Sequence, residues 1–362
     1  MSAGTVLIMA GGTGGHVFPG LALAAELRAR DVPVVWLGTP AGMEARAVPG
    51  AGIELRYLRV RGLRGGGWRR WLMAPMVLLL ALFKAMATLR AVRPAVVVSM
   101  GGFAAGPGGL AAWLLRYPLL VHEQNAVPGM TNRILARFAA VVLCAFPDTF
   151  PARRAARVIG NPVRADIRAL ADPETRLADR QGQPARLLVL GGSQGALGLN
   201  RLVPPALAQI TQTHPLQVRH QSGQAAEDTV REAYANFAGD VTVESFVDDM
   251  AAAYAWADLV IARAGALTIA ELQAAGLGAV LIPYPHAVDD HQARNAEHMV
   301  DAGAAVMLRQ DGLDPARLAR TLMPLLADAG RRLDMARAAR AQARPQAVDA
   351  LATACLTAGG IS

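Results

Sequence analysis

Apolar runs followed by glycine-rich turns and helical patterns recur along this chain. The run Thr5–Met9 carries no charge and leads into the glycine-rich stretch Ala10–His16, after which the pattern predicts a helix over Pro19–Arg30. Short continuous apolar runs are typical of buried parallel strands. Pro19 suits the first turn of a helix, where its missing N–H is not needed. The opening of the chain therefore predicts a strand, a tight turn and a helix.

The same order returns in the second half, where the apolar run Arg186–Leu190 leads into the glycine-rich stretch Gly191–Ala196. This repeat predicts an α/β fold with two Rossmann-like domains that face each other across a cleft. Further strands are predicted at Val34–Leu37, Val96–Ser99, Leu119–His122, Val141–Leu143, Gln217–Gln221, Val241–Val243, Asp258–Ala262 and Ala279–Ile282.

We expect the domain boundary at the loop-like stretch Gly160–Arg164, where the charge balance also changes. The first domain is then residues 1–160 and the second is residues 161–340. Closing helices are predicted over Leu313–Leu326 and Arg331–Arg344, and a C-terminal helix within 341–362 is expected to pack back towards the first domain.

Within the second domain, a helix is predicted over Ala266–Ala275, ending at Gly276, and another over His291–Asp301. Ligands of parallel α/β sheets sit beyond the carboxyl ends of the strands. The first helix start, Ala266–Thr268, would offer N–H groups to an anion such as a diphosphate. Glu271 lies where a carboxylate can accept hydrogen bonds from a ribose diol; the alternative is an acidic residue that faces the helix dipole.

Composition excludes several classes of protein. A hydrophobic content of 53% excludes a disordered chain. The two cysteines, Cys144 and Cys355, are too few for a disulfide scaffold and indicate a reducing compartment. The N-terminus lacks a basic region and a cleavage site, so no signal peptide is expected. The first glycine-rich stretch lacks the Gly-Lys-Ser/Thr of a P-loop, and no acidic residue ends the second strand, so a nicotinamide enzyme is a weak fit.

Basic residues are concentrated in the first half. Residues 1–160 hold 18 Arg and Lys against 6 Asp and Glu, whereas residues 161–362 hold 18 against 22. This asymmetry indicates that one half faces an anionic surface. Nucleic acid is disfavoured, because no recognised binding motif accompanies the charge.

An arginine cluster precedes the apolar run Trp71–Phe83. Thirteen residues are too few to span a bilayer, which needs about 20. The cluster and run fit an interfacial patch on anionic lipid, or else a buried helix with a solvated basic loop before it. For Val77–Phe83 alone we expect burial. The cluster is Arg59, Arg61, Arg64, Arg69 and Arg70, beside Leu63, Trp68, Trp71, Leu72 and Met73.

Eight distinctive stretches follow one another over nearly the whole chain. They are GGTGGHVFPGLALA (11–24), MGGFAAGPGGLAAW (100–113), HEQNAVPGMTNR (122–133), GNPVR (160–164), GGSQGA (191–196), FVDDM (246–250), RAGALTIAEL (263–272) and PHAVDDHQARNA (285–296). Together and in this order they resemble the MurG family of glycosyltransferases.

The resemblance implies a glycosyltransferase-B fold and an inverting transfer of N-acetylglucosamine from UDP-N-acetylglucosamine to the 4-hydroxyl of undecaprenyl-pyrophosphoryl-N-acetylmuramyl-pentapeptide. It implies peptidoglycan synthesis, with the linked roles in cell shape and division, at the cytoplasmic face of the bacterial inner membrane as a peripheral protein. An anionic membrane surface and other cell-wall synthesis proteins are the implied partners. No cofactor and no metal are implied; Asp248-Asp249, which suggests a metal, more simply caps a helix.

Site residues are carried over from the resemblance by position. Arg164 and Ser193 match contacts to the nucleotide diphosphate, Val247 matches a backbone contact to uracil, and Gln292 matches a contact to the sugar. The donor site is expected mainly in the second domain. The helix start over the diphosphate comprises Ala266, Leu267, Thr268, Ile269 and Ala270, with Glu271 on the ribose hydroxyls. Thr13, Gly14, Gly15 and Asn125 complete the donor cleft from the first domain.

His16 is the candidate general base, because a histidine titrates near neutrality and this one ends the glycine turn. The alternatives are that His16 positions the acceptor diphosphate or caps a helix. Glu123 is a rival base, and His122 is expected to be a satisfied histidine at a strand end. Two departures, Phe103 where some relatives have tyrosine and Ala270 where some have serine, limit inference on fine specificity.

Two other functions share these features. A glycosyltransferase-B enzyme acting on another membrane lipid shares the fold and donor, although HEQNAVPGMTNR argues against it. A non-catalytic nucleotide-sugar-binding subunit is disfavoured because both half-sites and His16 occur in one chain.

Overall fold

Parallel strands flanked by helices form both parts of the chain in the computed structural model, which describes residues 4–59, 68–180, 182–192, 195–211, 214–235 and 237–361. The chain divides into two compact units. The first consists of Met1–Arg164 and Arg344–Ser362, and the second of Ala165–Ala343.

The described residues of the first unit form a parallel sheet of seven strands in the order β3-β2-β1-β4-β5-β6-β7. The strands are β1 Val6–Ala10, β2 Val34–Gly38, β3 Glu54–Tyr57, β4 Val96–Gly101, β5 Leu119–Glu123, β6 Val141–Cys144 and β7 Arg157–Val158. The helices between them are α1 Gly14–Ala29, α2 Glu44–Gly50, α3 Trp68–Val92, α4 Ala105–Leu114 and α5 Met130–Leu135, and a 3₁₀ turn covers Ala152–Arg154.

The described residues of the second unit form a parallel sheet of six strands in the order β10-β9-β8-β11-β12-β13. It opens with α6 Ala165–Arg168 and α7 Pro173–Leu177, and the strands are β8 Ala185–Leu190, β9 Leu216–Gln221, β10 Asp240–Glu244, β11 Leu259–Ala262, β12 Ala279–Leu281 and β13 Ala305–Met307. The helices are α8 Leu197–Ile210, α9 Glu227–Ala233, α10 Met250–Trp256, α11 Ala266–Ala275, α12 His291–Asp301, α13 Pro315–Ala327 and α14 Ala329–Ala341. Further 3₁₀ turns cover Ala178–Arg180, Gln224–Ala226 and Val288–Asp290.

The last helix, α15 Ala347–Gly359, belongs to the first unit. Leu351 and Cys355 are fully buried there, in the same apolar cluster as Leu23 and Leu27 of α1. Burial raises the pKa of the Cys355 thiol to about 12. The C-terminal segment therefore completes the core of the unit with which the chain began.

Apolar strands are buried on both faces of each sheet, as the uninterrupted apolar runs predict. In β1, Ile8 packs into one cluster with helices α1 and α15, and its neighbour Leu7 packs into another with α3 and α4. Register pairs such as Val6 with Val34 and Val6 with Val96 place β1 between β2 and β4 in the interior of the sheet. The predicted α/β fold class is confirmed.

Helix α1 begins at Gly14, five residues before the predicted start at Pro19. The carbonyl of Thr13 accepts hydrogen bonds from His16 N at 3.1 Å and Val17 N at 3.2 Å, so the two glycines form the first helical turn. The prediction was wrong because the glycines were assigned to the turn. Strands β3, β7 and β13 were not predicted, because each has at most four residues, and β3 and β7 also carry charged side chains.

Helix α3 contradicts the expectation that Val77–Phe83 is buried. The helix extends over 25 residues, and the stretch Pro75–Val92, with a mean hydropathy of 1.7, is 17% buried. By length and composition alone this stretch is long enough to cross a membrane. The expectation that the apolar segment is too short to span a bilayer was therefore wrong. Within Pro75–Val92, one stripe of side chains, Ala81, Ala85 and Leu89, is buried against the unit. The outward side chains are exposed, with fractions from 40% to 63% at Met76, Val77, Leu78, Leu79, Leu80 and Phe83.

Candidate active site

In the first unit, two glycine-rich loops meet where the strand order reverses. The loops follow β1 and β4, which are neighbours in the sheet. This topological switch point is where ligands of open α/β sheets bind. Gly102, with φ of +89°, packs so closely on the Gly11 carbonyl that a Cβ would collide with it. A Cβ on Gly101, with φ of +101°, would lie 3.0 Å from the ring of His16. Glycine is required at both positions because a side chain has neither the space nor the backbone conformation.

Glu44, which was not predicted to have a role, holds the first loop in place. Its side chain is fully buried. The carboxylate accepts hydrogen bonds from Gly12 N at 3.0 Å, Thr39 N at 2.8 Å and Thr39 Oγ1 at 2.6 Å. A Cβ on Gly11, Gly38 or Gly42 would collide with this side chain. One indication of this role was present in the sequence, because Glu44 is an acidic residue shortly after β2 in a stretch that contains Gly38 and Gly42.

The imidazole of His16 is half-buried and is held by Gln124. Its Nδ1 lies 3.0 Å from Oε1 of Gln124. His122, on β5, is fully buried, and its Nε2 lies 2.9 Å from the Gly160 carbonyl. Burial lowers the pKa of His122 to about 4, so this histidine is neutral. The prediction that His122 is a satisfied strand-end histidine is confirmed by these contacts.

Glu123 organises the loop after β5. It is almost fully buried, and its carboxylate accepts hydrogen bonds from Asn125 N at 3.0 Å, Asn125 Nδ2 at 3.2 Å, Gly129 N at 3.2 Å and Asn132 Nδ2 at 3.0 Å. A buried carboxylate with four donors is committed to structure. This geometry favours a positioning role for Glu123 over the alternative that it is a base, and it fixes Asn125.

Of the other residues expected from the resemblance, Thr13, Gly14 and Gly15 form the start of α1. Arg164 ends the first segment of the first unit, whereas the expected boundary placed it in the second domain. Its guanidinium lies 5.8 Å from the centroid of the Phe18 ring. Ser193 lies outside the described residues.

The second unit has a corresponding switch point between β8 and β11. Helix α11 begins there after Gly265, which has no side chain to cap the helix. The N–H groups of Leu267 and Thr268 therefore lie in a first turn without a side-chain cap, which is an arrangement that binds anions. Ala266, Ile269 and Ala270 are buried and fix the helix against the sheet.

Glu271 lies on the buried side of α11. Its Oε2 accepts a hydrogen bond from the hydroxyl of Tyr254 at 3.0 Å, and 7% of the residue is exposed. The other end of the helix is held by Arg176, which donates to the carbonyls of Ala275 and Gly276, both at 2.7 Å. Gly276 has φ of +60° and ends the helix as predicted.

Two more expected residues lie at or just before helix starts of the second unit. Val247 is 2% exposed and precedes α10, whose first turn is capped by Asp249 through a 2.8 Å bond from Ala252 N. The prediction that this acidic pair caps a helix is confirmed for Asp249. Gln292, at the start of α12, accepts a hydrogen bond from Tyr284 N at 2.9 Å.

Family comparisons cover most of the chain. The Glycosyltransferase family 28 N-terminal domain matches residues 6–144, and the Glycosyltransferase family 28 C-terminal domain matches residues 186–351. A protein of Alkalilimnicola ehrlichii is 55% identical over 97% of this chain and 98% of its own length. A protein of Xanthomonas campestris is 55% identical over 98% of this chain and 82% of its own length. Both are named UDP-N-acetylglucosamine–N-acetylmuramyl-(pentapeptide) pyrophosphoryl-undecaprenol N-acetylglucosamine transferase.

Solved structures agree with these relatives. Acinetobacter baumannii MurG is 39% identical, with a TM-score of 0.85, over 98% of this chain and 99% of its own. The calicheamicin glycosyltransferase CalG4 is 19% identical, with a TM-score of 0.67 and 99% of both chains covered, and it shows the fold alone. The predicted glycosyltransferase-B type with two Rossmann-like domains is confirmed.

Proposed function

Because the chain belongs to the MurG family of glycosyltransferases, we infer that it transfers N-acetylglucosamine from UDP-N-acetylglucosamine to undecaprenyl-pyrophosphoryl-N-acetylmuramyl-pentapeptide in peptidoglycan synthesis. The observation that carries this function is the 55% identity to its named relatives over nearly the whole chain. The glycine-rich loops at both switch points provide the backbone for a nucleotide sugar and a phosphorylated acceptor.

On the donor side, the first turn of α11 binds the diphosphate of UDP through backbone N–H groups, and Glu271 accepts hydrogen bonds from the ribose hydroxyls. The uncapped helix start and the buried, Tyr254-bonded carboxylate support these roles. Val247 holds the uracil by its backbone, Gln292 contacts the sugar, and Arg164 and Ser193 contact the diphosphate region. Thr13, Gly14, Gly15 and Asn125 contribute from the first unit.

In the chemical step, the 4-hydroxyl of the acceptor sugar attacks the anomeric carbon from the side opposite UDP. His16 takes the hydroxyl proton, the bond from the anomeric carbon to the diphosphate oxygen breaks, and UDP leaves with the electron pair. General base catalysis of this kind contributes about 10²–10⁴-fold. The N–H groups at the start of α11 stabilise the charge that develops on the diphosphate.

The first unit docks on the cytoplasmic face of the bacterial inner membrane as a peripheral protein. Two features support this placement: the exposed apolar side of α3 and the excess of basic residues in the first half. Arg59 is exposed on the segment before α3, and Arg69 and Arg70 belong to the first turn of that helix. Arg61 and Arg64 lie outside the described residues. Apolar and basic groups together bind anionic lipid surfaces.

The deciding experiment measures transfer of radiolabelled N-acetylglucosamine to the undecaprenyl-linked acceptor in the presence of EDTA. We expect transfer by the wild type, and a fall in kcat of about 10²–10⁴-fold in His16→Ala with unchanged binding of the donor. His214→Ala is the matched control, because His214 precedes β9 at the sheet edge opposite the loops. No transfer by folded wild type would indicate another acceptor lipid, and full turnover by His16→Ala would exclude His16 as the base.

A further inference from the structure

A chain of hydrogen bonds connects His16 with a buried backbone carbonyl of the first unit. His16 Nδ1 lies 3.0 Å from Oε1 of Gln124, and Nε2 of Gln124 lies 3.1 Å from Nδ1 of His122. His122 Nε2 lies 2.9 Å from the carbonyl oxygen of Gly160. Between His16 and the Gly160 carbonyl, each side-chain atom in this series either donates or accepts a hydrogen bond. Once the donor is known at the Gly160 carbonyl, the donor and acceptor of every other bond in the series follow.

The deduction begins at Gly160, whose carbonyl can only accept. The Nε2 atom of His122 must therefore carry a proton. A second proton on this ring would place a charge in a fully buried position, and burial lowers the pKa of His122 to about 4. His122 is therefore neutral, and its Nδ1 has a lone pair that accepts from Gln124.

The amide of Gln124 has one orientation compatible with these neighbours. Its nitrogen faces two acceptors, His122 Nδ1 at 3.1 Å and the His122 carbonyl at 3.2 Å. Exchanging the amide oxygen and nitrogen would place the oxygen against both acceptors, which is unfavourable for buried groups. The backbone carbonyl of Gln124 accepts from Asn161 Nδ2 at 3.0 Å, which fixes the residue further. Oε1 therefore points to His16 and requires a proton on His16 Nδ1.

We propose that Gln124 is a positioning residue that holds His16 in the tautomer with the proton on Nδ1, so that Nε2 keeps its lone pair for the acceptor hydroxyl. This inference rests on the proposed role of His16 as the base. When Nε2 takes the hydroxyl proton, the new C–O bond forms and the bond to UDP breaks, while Nδ1–H continues to donate to Gln124. A neutral amide selects the tautomer without the extra proton affinity that a carboxylate would give the imidazole.

Three charged side chains of the first unit, Glu44, Glu123 and Arg30, bind partners other than His16. The carboxylate of Glu44, from α2, accepts from Gly12 and Thr39, and that of Glu123, from β5, accepts from its own loop. Arg30 pairs with Glu26 and Asp349 where α15 meets the far end of α1. Among the described residues, the His16 ring makes its polar contact with the neutral amide of Gln124. The tautomer of His16 is therefore set by Gln124 rather than by a nearby charge.

The direct test is a long-range ¹H–¹⁵N NMR spectrum of protein labelled at histidine, with His16 assigned from the spectrum of His16→Ala. Above neutral pH we expect wild-type His16 to show a protonated Nδ1 and an unprotonated Nε2. In Gln124→Met, which keeps the length but loses the amide, we expect the Nε2–H form that free histidine prefers. Wild-type His16 with its proton on Nε2, or an unchanged tautomer in Gln124→Met, would overturn the proposal.

Kinetics provide a second readout, with Gln342→Met, exposed at the end of α14, as the matched control. We expect Gln124→Met to lower kcat by about 10- to 100-fold, less than the roughly 10²–10⁴-fold expected for loss of the base itself, with donor binding unchanged. Gln124→Glu restores an acceptor for Nδ1–H, but its second oxygen faces His122 Nδ1 and the His122 carbonyl, so it should recover only part of kcat. Its carboxylate stabilises the imidazolium, so the acid limb of the pH–rate profile should move to higher pH. Recovery without this shift would indicate that Gln124 only supports the fold.

The two proposals fail in different ways. Full turnover by His16→Ala would remove the base role, whereas the NMR spectrum would still report whether Gln124 sets the tautomer. Loss of turnover in His16→Ala together with wild-type kcat in Gln124→Met would retain the base and exclude the role of Gln124.

Discussion

The carboxylate of Glu44 accepts a hydrogen bond from the backbone N–H of Gly12 at 3.0 Å, and this bond ties the first glycine-rich loop to helix α2. The two residues are 32 positions apart in the sequence. The same carboxylate binds Thr39, at the end of β2. A single buried side chain thus fixes the loop from which α1 and His16 start.

Glu44→Gln should weaken both the fold of the loop and the activity. The amide nitrogen would face a buried N–H or hydroxyl donor, which costs about 1–3 kcal/mol. We expect a lower free energy of unfolding by roughly that amount and a fall in kcat/KM, measured by chemical denaturation and the transfer assay. Glu54→Gln is the control, since Glu54 lies on exposed β3 and pairs with Arg56. Equal stability of the two variants would contradict this role.

Removing the Glu271 carboxylate should weaken donor binding. Hydrogen bonds to charged groups contribute about 1.5–3 kcal/mol, so Glu271→Ala should raise the Kd for UDP-N-acetylglucosamine by about 10- to 100-fold in calorimetry. Tyr254→Phe removes the hydroxyl that holds the carboxylate and should have a smaller effect in the same direction. Glu297→Ala, on α12, should bind the donor like the wild type. Wild-type affinity in Glu271→Ala would exclude the ribose contact.

Stability should fall as the pH drops below about 6.5, because two histidines are buried in the neutral form. Burial lowers the pKa of His122 and of His220 from 6.5 to about 4. Between these pH values the unfolded chain binds more protons than the folded one, so acidification favours unfolding. Each histidine contributes roughly 3 kcal/mol to this loss, which is complete near pH 4. In denaturant unfolding at several pH values, His220→Asn should flatten the dependence, and exposed His286→Gln should leave it unchanged.

The exposed side of α3 should control membrane binding. Replacing Leu79, Leu80 and Phe83 together by serine removes apolar area that can insert into lipid, and sedimentation with vesicles should show at least about tenfold weaker binding. Met323→Ser changes an exposed apolar residue of the second unit and should bind normally. Unchanged binding of the triple variant would exclude α3 as the docking surface.

The basic cluster should act through charge and not through insertion. Neutralising Arg59, Arg61, Arg64, Arg69 and Arg70 together should weaken binding to anionic vesicles and leave binding to neutral vesicles unchanged. Added salt should reduce the difference between the two kinds of vesicle. Full binding of the variant to anionic vesicles would exclude the cluster.

The ion pair between Arg180 and Asp258 should be the most sensitive one in the second unit. Arg180 donates through Nε at 3.1 Å and through NH2 at 2.9 Å, and both side chains are buried. Arg180→Ala leaves the buried carboxylate with the Arg186 N–H at 2.9 Å but without its ion-pair partner, and should lower the free energy of unfolding by about 3–5 kcal/mol. The exposed pair of Arg231 with Glu227 provides the control, where Arg231→Ala should cost at most about 1 kcal/mol.

The sequence predicted those elements whose ends carry a local signal. Helices over Ala266–Ala275 and His291–Asp301 were predicted with their observed bounds, because glycine marks the end of the first and a polar loop precedes the second. The start of α1 was missed because Gly14 and Gly15 have no side chain to distinguish a turn from a helix. The surface of α3 was missed because an apolar run does not reveal whether protein covers it.

The contacts around His16 were beyond reach of the sequence for a different reason. Gln124 is 108 positions away, and its role depends on the register that places β5 in the same sheet as β1. Glu44 is also distant from Gly12, and no motif marks it as a partner of the loop. The family resemblance, now confirmed, identified the loops but not the buried side chains that hold them.

The return of α15 to the first unit also determines the order in which the units can be completed during synthesis. Residues of α15 fill the same cluster as those of β1 and α1, which the ribosome makes long before α15. The second unit is continuous from Ala165 to Ala343, so all its residues have been made before α15 exists. The core around β1 and α1 can therefore close only after α15 has been synthesised, whereas all residues of the second unit are available for folding before then.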